Sequence, residues 1–123
     1  METEKKKTLV LGASTNPARY SFKASLDLQS HGHPTVLLSR KKGEINGVPL
    51  EPKARFFENI HTVTMYLGPS NQVEYYQYLI ALEPKRVIFN PGSENPELCN
   101  LLEKNGIEWE NACTLVLLSI GNY

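Results

Sequence analysis

The sequence predicts an α/β fold, a single domain built on a doubly wound, mainly parallel sheet of about five strands with helices on both faces. Short apolar runs rich in β-branched residues recur along the 123-residue chain, and most gaps between them are long enough for a helix. No segment is repeated and none is low in complexity. Strands joined through helices pair in parallel, because the crossover between them is almost always right-handed.

Five runs have the length and composition expected of strands. They are Thr8–Leu11, Thr35–Leu38, Thr62–Leu67, Arg86–Phe89 and the less apolar Ile107–Glu110. Ligands of such sheets bind outside the carboxyl ends of the strands, near the point where the strand order reverses. The residues that directly follow each strand are therefore the first candidates for a binding site.

Two of the gaps have helix signals at their ends. Tyr20–Ser30 mixes apolar with polar residues and is followed by Gly32, which suits the C-terminal end of a helix. Asn95–Lys104 begins with a residue that can cap a helix and has Pro96 at the first helical position. Both segments are predicted to be helices.

Two further segments are predicted to be helical. Asn71–Leu82 has apolar residues at helical spacing and ends at Glu83-Pro84, since a residue before proline disfavours the helical conformation. The residues predicted on its apolar face are Val73, Tyr75, Tyr76, Leu79 and Ile80. The stretch ACTLVLLSIG near the end of the chain suits a buried helix or a strand, and a short helix is the preferred interpretation.

Length and charge exclude several classes of function. A chain of 123 residues is expected to form one domain, residues 8–123, after a charged N-terminal tag at residues 1–7. Thirteen Lys and Arg balance thirteen Asp and Glu, so neither nucleic acid nor an anionic membrane is an expected partner. No apolar run approaches the roughly 20 residues that span a bilayer, and the expected location is cytoplasmic.

The loop after the first predicted strand, GASTNPARY, suits a phosphate. Its small residues let a ligand approach the main chain, and the following helix directs free N–H groups and a positive dipole end toward the same place. The candidate binding residues are Gly12, Ala13, Ser14, Thr15, Asn16, Arg19, Tyr20 and Ser21. The loop lacks the second and third glycines of the dinucleotide fingerprint GxGxxG, and an ordinary turn explains it equally well.

The segment SRKKG after the second strand favours one class of nucleotide. Sheets of this type that bind NAD usually have Asp or Glu here, whereas a ligand with an added phosphate at its adenosine end requires positive charge. The candidate residues are Ser39, Arg40, Lys41 and Lys42. Coenzyme A and NADP both have such a phosphate. A solvated basic loop is the alternative interpretation.

The third and fourth strand ends contribute shape rather than charge. Both place glycine and proline between a strand and a helix, which leaves room for a ligand to lie flat against the chain. The candidate residues are Gly68 and Pro69 after the third strand, and Asn90, Pro91, Gly92 and Ser93 after the fourth. Turn formation alone is the alternative explanation.

No residue pattern indicates a catalytic or a metal site. Cys99 and Cys113 share no CxxC spacing, so buried or inert thiols are expected. His31 and His33 lie at a helix end, where a cation complements the dipole, and His61 precedes a strand, away from the expected binding edge. The tyrosines of YYQY have helical spacing and are expected to pack against the sheet or a partner subunit rather than to stack on a base.

Together these segments resemble a known family. VLGASTNPARYSFKA resembles the opening loop of the small stand-alone CoA-binding proteins, which are single-domain relatives of the CoA-binding domain in the succinyl-CoA synthetase alpha subunit. The resemblance extends from about Thr8 to Cys113, rests on the order and spacing of the motifs, and implies a Rossmann-like fold. Ser39-Arg40 stand where the family usually has Asn-Pro.

The resemblance also implies roles for individual residues. Gly12–Ser14 match the loop that holds the CoA pyrophosphate, and Lys41 matches the family's lysine. Asn90 and Gly92 match the Gln and Gly of the fourth-strand motif, in which Ile88 replaces the usual Trp.

A protein of this kind is expected to bind coenzyme A or an acyl-CoA without catalytic activity of its own. The alternatives are an NADP-binding domain of an oxidoreductase type and a ligand-free interaction domain on the same fold. The expected partner is a small-molecule nucleotide cofactor, with a homodimer or a partner enzyme as possible assemblies.

Overall fold

The computed structural model describes residues 4–123, so the first three residues of the expected N-terminal tag lie outside the described residues. Seven strands form one sheet, with five α-helices around it in this part of the chain. The strands are β1 Thr8–Leu11, β2 Thr35–Leu38, β3 Glu44–Ile45, β4 Val48–Glu51, β5 Thr62–Met65, β6 Arg86–Phe89 and β7 Glu108–Asn111. The helices are α1 Tyr20–Ser30, α2 Pro69–Gln72, α3 Tyr76–Leu82, α4 Pro96–Lys104 and α5 Thr114–Ser119, with a 3₁₀ turn at Val73–Tyr75 between α2 and α3.

The sheet has the order β3-β4-β2-β1-β5-β6-β7 and is parallel except for the β3–β4 pair. β1 pairs with β2 on one side and with β5 on the other, so that Leu11 lies between Leu38 and Met65. After β1, the chain forms β2, β3 and β4 on one side of it and then β5, β6 and β7 on the other side. The strand order therefore reverses beside β1, which opens a crevice at the carboxyl ends of the strands.

The fold class is confirmed as α/β with a mostly parallel sheet, but the expected count of about five strands is wrong. The two additional strands, β3 and β4, form a hairpin whose turn residues Asn46 and Gly47 both have positive φ, at 49° and 80°. The hairpin was missed because β3 has only two residues and β4 contains Pro49. The hairpin joins the main sheet because β4 pairs in parallel with β2, with Leu50 opposite Leu37.

The segment predicted as one helix from Asn71 to Leu82 is broken into α2, the 3₁₀ turn and α3. Val73, which was predicted on the apolar face, is 55% exposed at the break. The break is held by the buried Gln72, whose amide donates to the carbonyl oxygens of Leu67 and Ser93, both at 2.8 Å. Periodicity could not reveal this anchor because it joins residues distant in sequence.

Helices cover both faces of the sheet, as alternation along the strands requires. On one face, Leu9 and Leu11 of β1 pack in a core with residues of α3 and α4. On the other face, Val10 packs in a second core with Leu28 of α1 and Leu118 of α5. The predicted helices at Tyr20–Ser30, at Asn95–Lys104 and near the end of the chain are confirmed, with Asn95 as the N-cap residue of α4. None of the helices in residues 4–123 is long and apolar enough to span a bilayer.

The residues just before β1 belong to the packed structure. The Lys6 N–H donates to Nδ1 of His33 at 2.9 Å, and the Lys7 carbonyl accepts from the N–H groups of His61 and Thr62. His33 is buried, so the expected role of a cation at the end of α1 is wrong for this side chain. The boundary between a tag and a domain stays a prediction.

Stability is expected to fall in mild acid because of His33. Burial, followed by the positive charges of Lys5, His31, Lys6 and Arg86, holds the pKa of His33 below its usual 6.5. The unfolded chain therefore binds a proton at His33 near pH 6.5, whereas the folded chain binds it only at lower pH. Protonation then favours unfolding, and this contribution to stability is present above pH 6.5 and is lost as the pH falls through the lower pKa of the folded state.

Urea titrations at about pH 7.5 and pH 5.5 measure this effect. The free energy of unfolding of the wild type should fall more between the two values than that of His33→Gln. His31→Gln, at an exposed neighbouring position, removes only one of the smaller causes of the His33 shift and should keep most of the wild-type dependence. An equal fall in the wild type and His33→Gln would contradict the assignment.

Candidate functional site

A cavity of about 500 Å³ lies at the carboxyl ends of β1, β2 and β5, at the place where the strand order reverses. It is lined by Leu11, Gly12, Ala13, Ser14, Asn16, Arg19, Tyr20, Ser21, Leu38, Ser39, Arg40, Lys41, Tyr66, Leu67, Asn71, Tyr75 and Pro91. The sequence predicts the loops after the first and second strands as two separate candidate sites. In the structure both loops face one cavity. Their role in binding stays a prediction.

The loop after β1 begins with a backbone turn that requires glycine. Gly12 has φ +96°, and a Cβ there would lie 3.0 Å from Cδ2 of Leu67 and 3.3 Å from the carbonyl carbon of Tyr66. The N–H groups of Gly12 and Ala13 both donate to the Leu38 carbonyl at 3.0 Å. These two N–H groups hold the loop against β2 and have no free hydrogen for a ligand.

The free N–H groups of this loop come later in the chain. The Asn16 N–H donates to Oγ of Ser14, and the Ala18 N–H donates to Oδ1 of Asn16, each at 3.0 Å. Within residues 4–123, no acceptor is found for the N–H groups of Ser14 and Thr15, or for those of Tyr20 and Ser21 in the first turn of α1. Free N–H groups beside a helix N-terminus attract anions.

The loop after β2 brings positive charge to the opposite wall of the cavity. The Lys41 N–H donates to Oγ of Ser39 at 3.2 Å, a local contact within this loop. Arg40 and Lys41 line the cavity here, and Arg19 lines it from the loop after β1. The described lining contains these three cations and no carboxylate. A lining with this charge favours anionic over cationic ligands.

Several of the predicted site residues do not line the cavity. They are Thr15, Lys42, Gly68, Pro69, Asn90, Gly92 and Ser93. The side chain of Thr15 faces Gly43, where an added Cβ would lie 2.8 Å from its methyl carbon. Gly68 is the N-cap residue of α2 and Pro69 is the first residue of that helix. Both positions agree with the alternative explanation, in which these residues only form a turn. The N–H of Gly92 donates to the Glu94 carboxylate.

Asn90 does not line the cavity, and its side chain bonds only within the protein, so its role in binding stays a prediction. Its buried Nδ2 donates to Oγ1 of Thr64 at 2.7 Å and to the carbonyl of Met65 at 2.9 Å, and its Oδ1 accepts from the Thr114 N–H at 2.9 Å. One amide therefore joins β5, β6 and α5. The Ser93 hydroxyl donates to the Asn90 carbonyl at 2.7 Å and is also buried.

Sequence reasoning missed six lining residues, which are Leu11, Leu38, Tyr66, Leu67, Asn71 and Tyr75. Leu11 and Leu38 are the last residues of their strands, a position that could have identified them. Tyr66 and Leu67 were assigned to a strand that ends at Met65 instead.

Two of the missed residues are tyrosines with different surroundings. Burial raises the pKa of Tyr66, so its hydroxyl stays neutral. Tyr75 was expected to pack against the sheet or a partner, yet it also lines the cavity.

The residues considered for chemistry lie elsewhere. Cys99 is buried, and its burial raises the pKa of the thiol. Cys113 is half-buried at the N-cap position of α5 and does not line the cavity. His61 directly precedes β5 and so lies at the amino ends of the strands, opposite the cavity. Across residues 4–123, no three His, Cys, Asp or Glu side chains are grouped closely enough to hold a metal ion.

Comparison with known proteins assigns the chain to a family. Residues 6–119 match the CoA binding domain. The chain belongs to this CoA-binding domain family. A crystal structure of an uncharacterized protein is 47% identical, with a TM-score of 0.96 over 98% of this chain and 100% of that chain. Family membership supports CoA binding in general.

More distant structures share the fold. A conserved hypothetical protein from Pyrococcus furiosus is 26% identical, with a TM-score of 0.80 over 90% of this chain and 97% of that chain. A protein from Thermus thermophilus has a TM-score of 0.86 at 20% identity, over 97% of this chain and 91% of that chain, and this likeness concerns the fold alone. No curated protein matches the chain.

Substitution of Asn90 tests its structural role. Asn90→Ala leaves the buried N–H of Thr114 without its acceptor and removes the donor to Oγ1 of Thr64 and to the Met65 carbonyl, and we expect the free energy of unfolding to fall by about 3 kcal/mol. Asn100→Ala, at an exposed site in α4, should change it by less than about 0.5 kcal/mol. Urea unfolding measures both values. A variant Asn90→Ala with wild-type stability but weakened ligand binding would instead assign Asn90 to the site.

Proposed function

We propose that this protein binds coenzyme A or an acyl-CoA in the cavity beside β1 and catalyses no reaction by itself. The observation that supports this most is the charge of the lining, which has Arg19, Arg40 and Lys41 and no carboxylate among the described residues. Coenzyme A has a pyrophosphate and a separate 3′-phosphate. A ligand with two anionic groups suits a cavity whose donors lie on two walls.

The two walls offer different kinds of donor. The free N–H group of Ser14, together with the first turn of α1, suits the pyrophosphate. Arg40 and Lys41 suit the 3′-phosphate, because cationic side chains form strong charge-assisted hydrogen bonds with phosphate oxygens. The pantetheine arm would then extend toward Pro91, which lines the cavity beyond β6.

The absence of catalysis is part of the proposal. A catalytic site requires a nucleophile, an acid or a base within reach of the substrate. Among the described lining residues there is no histidine, cysteine or carboxylate, and the hydroxyl of Tyr66 is buried and neutral. The family and the solved structures give no support for NADP. The cytoplasmic location and the homodimer or partner enzyme stay predictions.

Calorimetric titration distinguishes the ligands. Coenzyme A and acetyl-CoA should bind saturably, and dephospho-CoA should bind more weakly because it lacks the 3′-phosphate. Selective binding of NADPH would instead indicate the oxidoreductase-type alternative. No binding of any of the four would indicate a ligand-free interaction domain and would overturn the proposal.

Lys41 and Lys42 form a matched pair for testing the phosphate contact, since both are exposed lysines but only Lys41 lines the cavity. We expect Lys41→Gln to weaken CoA binding about tenfold, because a charge-assisted hydrogen bond of an exposed side chain is worth about 1.5 kcal/mol, the lower end of the usual range. Its affinity for dephospho-CoA should not change. Lys42→Gln should change either affinity by less than about twofold.

Calorimetry with both ligands and both variants measures these changes, and circular dichroism shows that each variant is folded. Equal effects of the two substitutions would mean that the loop acts only through its total charge. That result would contradict a specific contact between Lys41 and the phosphate.

A further inference from the structure

Arg40 and Glu74 form an ion pair at the rim of the cavity. Arg40 follows β2, and Glu74 lies in the 3₁₀ turn that comes after β5 and α2. Because β1 lies between β2 and β5 in the sheet, the pair connects two walls that stand on either side of the loop after β1. A cation of the cavity is thus already in contact with a carboxylate of the protein.

The turn that contains Glu74 is held by hydrogen bonds of the buried Gln72 side chain. The amide of Gln72, which ends α2, donates to the carbonyl oxygens of Leu67 and Ser93, and its Oε1 accepts from Nδ2 of Asn95 at 2.9 Å. These bonds anchor the 3₁₀ turn between the strand ends of β5 and β6. The next residue, Tyr75, lines the cavity, so the same turn brings Glu74 to its rim.

The pair is weak enough to exchange partners. The side chains of Arg40 and Glu74 are 70% and 53% exposed, and ion pairs in water contribute little to stability. A phosphate dianion attracts a guanidinium more strongly than a carboxylate does, and it can accept two parallel N–H bonds from it. A ligand phosphate that reaches Arg40 must displace the Glu74 carboxylate and must also overcome its repulsion.

We propose that Glu74 competes with the ligand phosphate for Arg40 and thereby limits the affinity of the site for ligands with a 3′-phosphate. This inference rests on the proposed function. A ligand without that phosphate has no group to replace Glu74 and leaves the ion pair intact. Glu74 therefore reduces the difference in affinity between coenzyme A and dephospho-CoA.

The substitution Glu74→Gln tests this competition. It removes the competing charge and keeps a side chain of the same size, and we expect CoA to bind about two- to fivefold more tightly. The affinity for dephospho-CoA should stay the same. Glu108→Gln, an equal change of charge at an exposed position of β7, should leave both affinities unchanged. Calorimetry at low salt measures all four values, and the gain should shrink as salt is added.

A second background isolates the role of Arg40. We expect Arg40→Gln to weaken CoA binding, and the addition of Glu74→Gln to that variant to raise CoA affinity less than it does in the wild type, because only the repulsion between the carboxylate and the phosphate remains to be relieved. A gain in CoA affinity that is equally large without Arg40, or that appears equally with dephospho-CoA, would overturn the inference. So would an unchanged or weaker affinity of Glu74→Gln for CoA.

The two proposals fail in different ways. If the wild type binds CoA but Glu74→Gln does not change the preference for the 3′-phosphate, the competition is wrong and CoA binding stands. If the wild type binds neither CoA nor dephospho-CoA, both proposals are wrong.

Discussion

The parallel pairing of β1 with β2 on one side and with β5 on the other is the constraint on which the rest of the structure depends. It places the strand order reversal beside the first strand, and with it the cavity. It also directs the chain after Leu11 into a narrow space next to Leu67. Only a glycine with positive φ fits there, so the geometry of the sheet determines both the position of the loop and its first residue.

The loop after β1 uses some of its N–H groups to hold the fold and leaves others without an acceptor in the described chain. The N–H groups of Gly12 and Ala13 donate to Leu38 and hold the loop on the sheet, while those of Ser14 and Thr15 have no acceptor in the described chain. This division explains how a loop without the full dinucleotide fingerprint can still offer an anion site. Helix α1 adds two free N–H groups in its first turn, and side-chain cations supply the remainder of the charge.

The turns after β5 and β6 are held in place by long-range hydrogen bonds. Gln72 and Asn90 are buried amides that join segments far apart in the sequence, and each satisfies several backbone or side-chain groups. They hold the turns after β5 and β6 in fixed positions. Asn90 lies at a strand end, where the sequence predicts a ligand contact. In the structure its side-chain amide forms hydrogen bonds with Thr64, Met65 and Thr114 instead.

The sequence by itself determined the fold class, the order of the main strands and helices, and the two loops that face the cavity. It could do so because apolar periodicity, capping residues and local charge act over a few neighbouring residues. Tertiary structure alone decided the β3–β4 hairpin, the break before α3, the burial of Asn90 and His33, and the pairing of Arg40 with Glu74. Each of these depends on contacts between residues distant in the chain, which no local pattern records.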